Sequence, residues 1–103
     1  MKDNYIKIDV YHQRVYITDL EDAKKYCEGY DLSSYEAITY IGYRNRICIY
    51  IPEPRDDILV HECVHLANFI ADRCDIYYNP KYDEALAYLV GCIYKKLKSK
   101  LKF

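Results

Sequence analysis

Apolar residues fall at every second position near the start of the chain. Ile6, Ile8 and Val10 share one side, and Tyr5, Lys7, Asp9 and Tyr11 share the other. A period of two predicts a half-buried strand over residues 5–11. His12-Gln13 is a plausible two-residue turn, although it lacks the usual Gly or Asn, and residues 14–17 return as a second strand. Thr18-Asp19-Leu20-Glu21 has capping-box form. It opens a helix to about Glu28, and Gly29 is its natural stop. Residues 36–43 and 46–51 read as a hairpin around Arg44-Asn45, with Ile47, Ile49 and Ile51 on one face of the second arm. Pro52 and Pro54 end that strand.

The period then changes. Pro54 with Asp56 or Asp57 starts a helix that runs to about Cys74. From Ile58 to Ala71 it is apolar nearly all round, which predicts a buried helix. A short loop, 75–79, follows. Asn79-Pro80 supplies an N-cap and a first-turn proline for a last helix from about Lys81 to about Lys98. Leu86, Leu89, Val90, Ile93 and Leu97 line its inner face. The predicted order is ββαββαα. This is an α+β fold, a small, mostly antiparallel sheet backed by helices. The 103 residues suit a single domain over 1–103 with one modest core.

One polar line runs along the apolar central helix: His61, His65, Asn68 and Asp72. Buried polar groups without partners are costly, and a metal ion would satisfy both imidazoles. The sequence His61-Glu62-Cys63-Val64-His65 is an HExxH motif. Its histidines lie one turn apart on one helix face and can converge on one tetrahedral zinc ion. Glu62 is displaced around the helix. It can reach a water at the metal without ligating the metal, which suits a general base. Glu84 follows His65 after 18 intervening residues, early in the last helix. An antiparallel helix pair would return it to the level of the histidines. One zinc ion held by His61, His65 and Glu84, with water in the fourth position, is a catalytic rather than a closed set.

On these residues the chain resembles the gluzincins, metallopeptidases with HExxH and a glutamate ligand on the next helix. Its size is similar to the minigluzincins, and residues 61–91 look similar to small HExxH proteins of phage genomes. The resemblance implies a minimal zincin-like domain in which His61, His65 and Glu84 bind zinc and Glu62 is catalytic. It also implies an edge strand that binds extended substrate, here residues 46–51. A Tyr or His that stabilises the oxyanion belongs to the same pattern. Tyr77 and Tyr78, in the connector, and Tyr88, one turn beyond Glu84, are open candidates, each a packing tyrosine otherwise. His12 is either a fourth ligand or an exposed turn residue. Asn68 and Asp72 can orient an imidazole, and Asp72 is equally an ordinary residue near a helix end.

Composition narrows the rest. The net charge is −1, so no global field points to nucleic acid. Residues 94–103 carry five lysines and no acid, leaving −6 on the remainder. That basic C-terminal tail is a solvated helix end, a dock for an acidic partner or a cover for the cleft. Arg44, Arg46 and Arg55 flank the expected edge strand, either as a solvated hairpin end or as contacts for an acidic substrate. The 14 tyrosines suit half-buried faces or a Tyr-lined cleft. The five cysteines, Cys27, Cys48, Cys63, Cys74 and Cys92, are odd in number and contain no CxxC. Reduced, buried thiols in a cytoplasmic protein are expected, with neither a signal peptide nor a spanning run. The expectation is a zinc metallopeptidase acting on peptide or protein, latent or narrow in specificity. The alternative is a non-catalytic, zinc-dependent binding or regulatory module on the same scaffold.

Overall fold

The computed structural model describes residues 3–76, 79–81 and 83–103. The strands and α-helices follow in the predicted order: β1 (Tyr5–Ile8), β2 (Gln13–Ile17), α1 (Leu20–Tyr26), β3 (Ile38–Ile41), β4 (Ile47–Tyr50), α2 (Asp56–Arg73) and α3 (Glu84–Leu101). The fold is α+β. Two antiparallel hairpins, β1–β2 and β3–β4, join through a parallel β2–β4 pairing into one mixed sheet of order β1-β2-β4-β3.

Three local expectations shift. The alternation in the first strand ends at Ile8, and Val10 is exposed. A 3-10 turn over Asp9–Tyr11 follows, with His12 left-handed at φ 52°. Ile8 faces Gln13, so the loop takes four residues. A two-residue turn there would favour the Asn or Gly that this chain lacks. At α1, Asp19 rather than Thr18 is the cap, and its carboxylate accepts from the Asp22 N–H. The Thr18 hydroxyl instead donates to the Ile49 carbonyl and meets the Tyr40 hydroxyl, which donates to Asp22. At α3, Asn79 Oδ1 accepts from the Lys81 N–H at 2.8 Å. It therefore caps a turn, and the helix starts three residues later than expected.

A larger correction concerns the sheet edge. The expected edge strand, 46–51, holds β4, which lies between β2 and β3. Ile47, Cys48 and Ile49 are buried in succession, as in a strand covered on both faces. The edge on that side is β3. The turn between β3 and β4 is tight at Gly42. A Cβ there would stand 2.9 Å from Cys48 Sγ, so Gly42→Ala is expected to cost about 1–3 kcal/mol through overpacking, read as a lower denaturation midpoint.

Helices α2 and α3 pack side by side on the sheet and run antiparallel. Tyr94 Oη and Lys98 Nζ, late in α3, donate to Asp56 Oδ1 at the start of α2, at 2.9 and 2.6 Å. The Lys98 bond, then the Tyr94 bond, hold the Asp56 carboxyl below its ordinary range. Leu59, Cys63, Leu66 and Ile70 of α2 and Leu89, Ile93 and Leu97 of α3 form the core with Ile8, Val15, Ile47 and Ile49. The lysine-rich segment 94–103 is no separate tail, since α3 continues to Leu101. No helix among the described residues is long and apolar enough to cross a membrane.

Candidate metal centre

Helix α2 buries one side and not all of its circumference. Ile58, Leu59, Glu62, Cys63, Leu66, Ala67, Ile70 and Ala71 are buried. Val60 and Val64 are about half exposed, and His61, His65, Asn68 and Asp72 are exposed. This reverses one expectation. The histidines were expected on a buried face, yet they point outward, and the charged group carried inward is Glu62, 5% exposed. The reason is angular. Successive residues stand 100° apart, so the rotation that buries Leu59, Cys63 and Leu66 turns His61 and His65 outward. It leaves Glu62 on the border facing β3.

His61 Nε2 and His65 Nε2 face each other at 3.2 Å. Two nitrogens each bound to one tetrahedral ion at about 2.0–2.1 Å stand about 3.3–3.4 Å apart, so the observed separation is compatible with both binding one ion. A neutral pair at this distance can share one ring proton instead. The Glu62 carboxylate completes a group of three whose ligand atoms lie within 4.8 Å of one another, and such a group could hold a metal ion.

Glu62 is anchored through one oxygen, with the other near His61. Thr39 Oγ1, on β3, donates to Oε1 at 2.7 Å, and Oε2 stands 3.8 Å from His61 Nε2. A buried carboxylate needs such partners. Thr39→Val would leave Oε1 without its donor and is expected to cost about 1–3 kcal/mol. Thr39→Ser should restore most of that in chemical denaturation. Thr39 was not singled out from the sequence. It is one residue of a strand, and only the stacking of β3 on α2 gives it a role. Tyr35 was missed in the same way. It lines two adjoining concavities of about 320 and 160 Å³, both also lined by His61 and Glu62.

The other expected site residues lie elsewhere. Glu84 opens α3, exposed, and its carboxylate is outside the His61–Glu62–His65 group. Tyr88 is exposed and lines a different concavity, between α3 and β1. Its neighbour Leu89 takes the core position and turns Tyr88 toward β1. Tyr77 and Tyr78 fall outside the described residues. His12 sits exposed in the β1–β2 turn and does not join the group. Neither Asn68 nor Asp72 bonds a histidine among the described residues.

The arginines serve the framework. Arg46 lies over the rings of Tyr16 and Tyr43 and pairs with Asp3. Arg55 bridges Asp57 and Glu36, tying the start of α2 to the segment before β3. Arg44 is left-handed and stands over Tyr43. All five cysteines are free. Burial, then the neighbouring Glu62, pushes the Cys63 thiol up to about 12, and Cys63 faces the core, fully buried and outside the His61–Glu62–His65 group. No family model matches the chain, and neither does any curated protein or solved structure.

Proposed function

We propose that this protein is a zinc metallopeptidase of gluzincin type. The observation that carries the reading is the 3.2 Å approach of His61 Nε2 to His65 Nε2 beside a buried, anchored Glu62. His61 and His65 would hold the ion. Glu84 is the proposed third ligand. It opens the helix antiparallel to α2, and its carboxylate makes no hydrogen bond or ion pair among the described residues. Counting along the pair from the Asp56–Lys98 contact, Glu84 comes level with Ile70, about 7.5 Å along α2 from His65, so ligation would need the Glu84 side chain to reach back toward the histidines.

Bound zinc would supply Lewis acidity, which brings the pKa of water close to 7. Glu62 Oε2 accepts a proton from water and returns it to the departing amine, while Thr39 keeps Oε1 fixed. The edge of β3 offers backbone groups to an extended peptide. Tyr35, which lines both concavities beside His61 and Glu62, is the phenol we propose to donate to a carbonyl oxygen as charge builds on it.

The test is zinc content after dialysis, together with cleavage of a broad peptide library. One zinc per chain with chelator-sensitive cleavage supports the reading. No stoichiometric metal ends it. Glu84→Ala is expected to weaken zinc binding by at least about tenfold, and an unchanged affinity would remove Glu84 from the ligand set. The placement of Glu84 outside the group favours a second reading, a zinc-dependent binding or regulatory module without turnover. Full zinc occupancy with no cleavage of any library member would select that module.

A further inference from the structure

At the opposite edge of the sheet from the histidines, α3 and the edge strand β1 line a groove of about 920 Å³. Its apolar lining is buried Ile6, half-buried Cys92 and the exposed Ala87 and Gly91. Its rim carries Lys7, Lys95, Lys96, Lys100 and Lys102, and among the described residues no acidic side chain lines it. Only Lys96 is engaged, with the Lys7 carbonyl at 2.7 Å and Asp9 at 3.7 Å. The ammonium groups of Lys7, Lys95, Lys100 and Lys102 have no partner among the described residues. Unpaired like charges drawn together on an otherwise acidic protein form a local positive field.

We propose that this groove is a docking site for an acidic peptide segment whose apolar side chains meet its apolar lining. Three observations select that occupant. Buried Ile6 and half-buried Cys92 lie between exposed lysines on β1 and α3, which suits a narrow chain rather than a flat lipid surface. The cations lie on two walls and extend from Lys95 to Lys102, about 10 Å along the helix, which suits charges spread along a ligand rather than one anionic head. Gly91 stands mid-helix, where glycine is unfavourable, and a Cβ there would meet nothing within 4 Å. Nothing among the described residues fills that space, and an approaching chain would use it. Lys96 already holds the outward carbonyl of Lys7, so the peptide lies against side chains and does not extend the sheet.

The probe is a fluorescein-labelled ten-residue peptide of alternating glutamate and leucine, followed by anisotropy against the full chain at low salt. The wild type should bind, and binding should weaken steeply as salt rises. Lys95→Glu with Lys100→Glu should weaken it by about tenfold or more. Gly91→Leu fills the groove on a helix that tolerates it and should weaken binding to a similar degree with no loss of thermal stability. Lys24→Glu with Lys25→Glu, the same charge change on α1, should leave binding within about twofold. Glu62→Gln should bind the peptide as the wild type does, so the result stands apart from the peptidase reading. Equal loss in the α1 control would overturn the groove. So would displacement of the peptide by laurate, or dimerisation of the wild type that the groove substitutions abolish.

Discussion

Glu62→Gln should reduce peptide cleavage by about two to four orders of magnitude while leaving zinc content unchanged. The two halves of that result have separate causes. On the proposed reading zinc is held by His61, His65 and Glu84, none of which this substitution changes, and the two imidazole nitrogens already stand 3.2 Å apart. Glutamine keeps the shape of Glu62 and can still accept from Thr39 through its amide oxygen, so the fold is not disturbed. What it loses is the ability to take a proton from water. Turnover and metal assay on the same preparation measure both. Cleavage that survives the substitution at more than about a tenth of the wild-type rate would show that Glu62 is not the base. Zinc lost along with activity would instead make Glu62 a ligand, which its place within the three-residue group allows.

The second large effect is on stability. Leu66→Ala should cost about 2–5 kcal/mol, against the 5–15 kcal/mol that holds a typical domain together. Leu66 is fully buried in the cluster that joins α2, α3 and the sheet. Truncation leaves a void that neighbours from three elements cannot all close. For a domain of this size the midpoint of thermal unfolding should fall by about 10 °C or more. Val64→Ala, two residues earlier but 43% exposed, should cost less than about 1 kcal/mol. Equal losses at the two positions would contradict the orientation of α2, and with it the outward placement of His61 and His65.

That pair of neighbours shows why some expectations needed correction. Val64 and Leu66 are both apolar in the sequence, and both suggested a helix covered all round. Only one face has sheet and helix to pack against. The same limit applied to β4. Its apolar run reads equally as an edge or an interior strand, and pairing with β2 and β3 decided between them. Thr39 and Tyr35 carried no signal at all, because their value comes from elements that pack beside them and lie far away in sequence.

The sequence by itself determined whatever rests on short-range geometry. Periods of two and 3.6 set the order ββαββαα, and one helical turn brings His61 to His65, because four residues return a side chain to the same face of any helix. The tertiary structure alone decided which sides of those elements face inward. It put β3 at the edge by the histidines, buried Glu62 against Thr39, and left Glu84 on the first turn of α3, outside the group. Those relations depend on the rotation and stacking of whole elements, which the packing of a shared core sets and local periodicity does not encode.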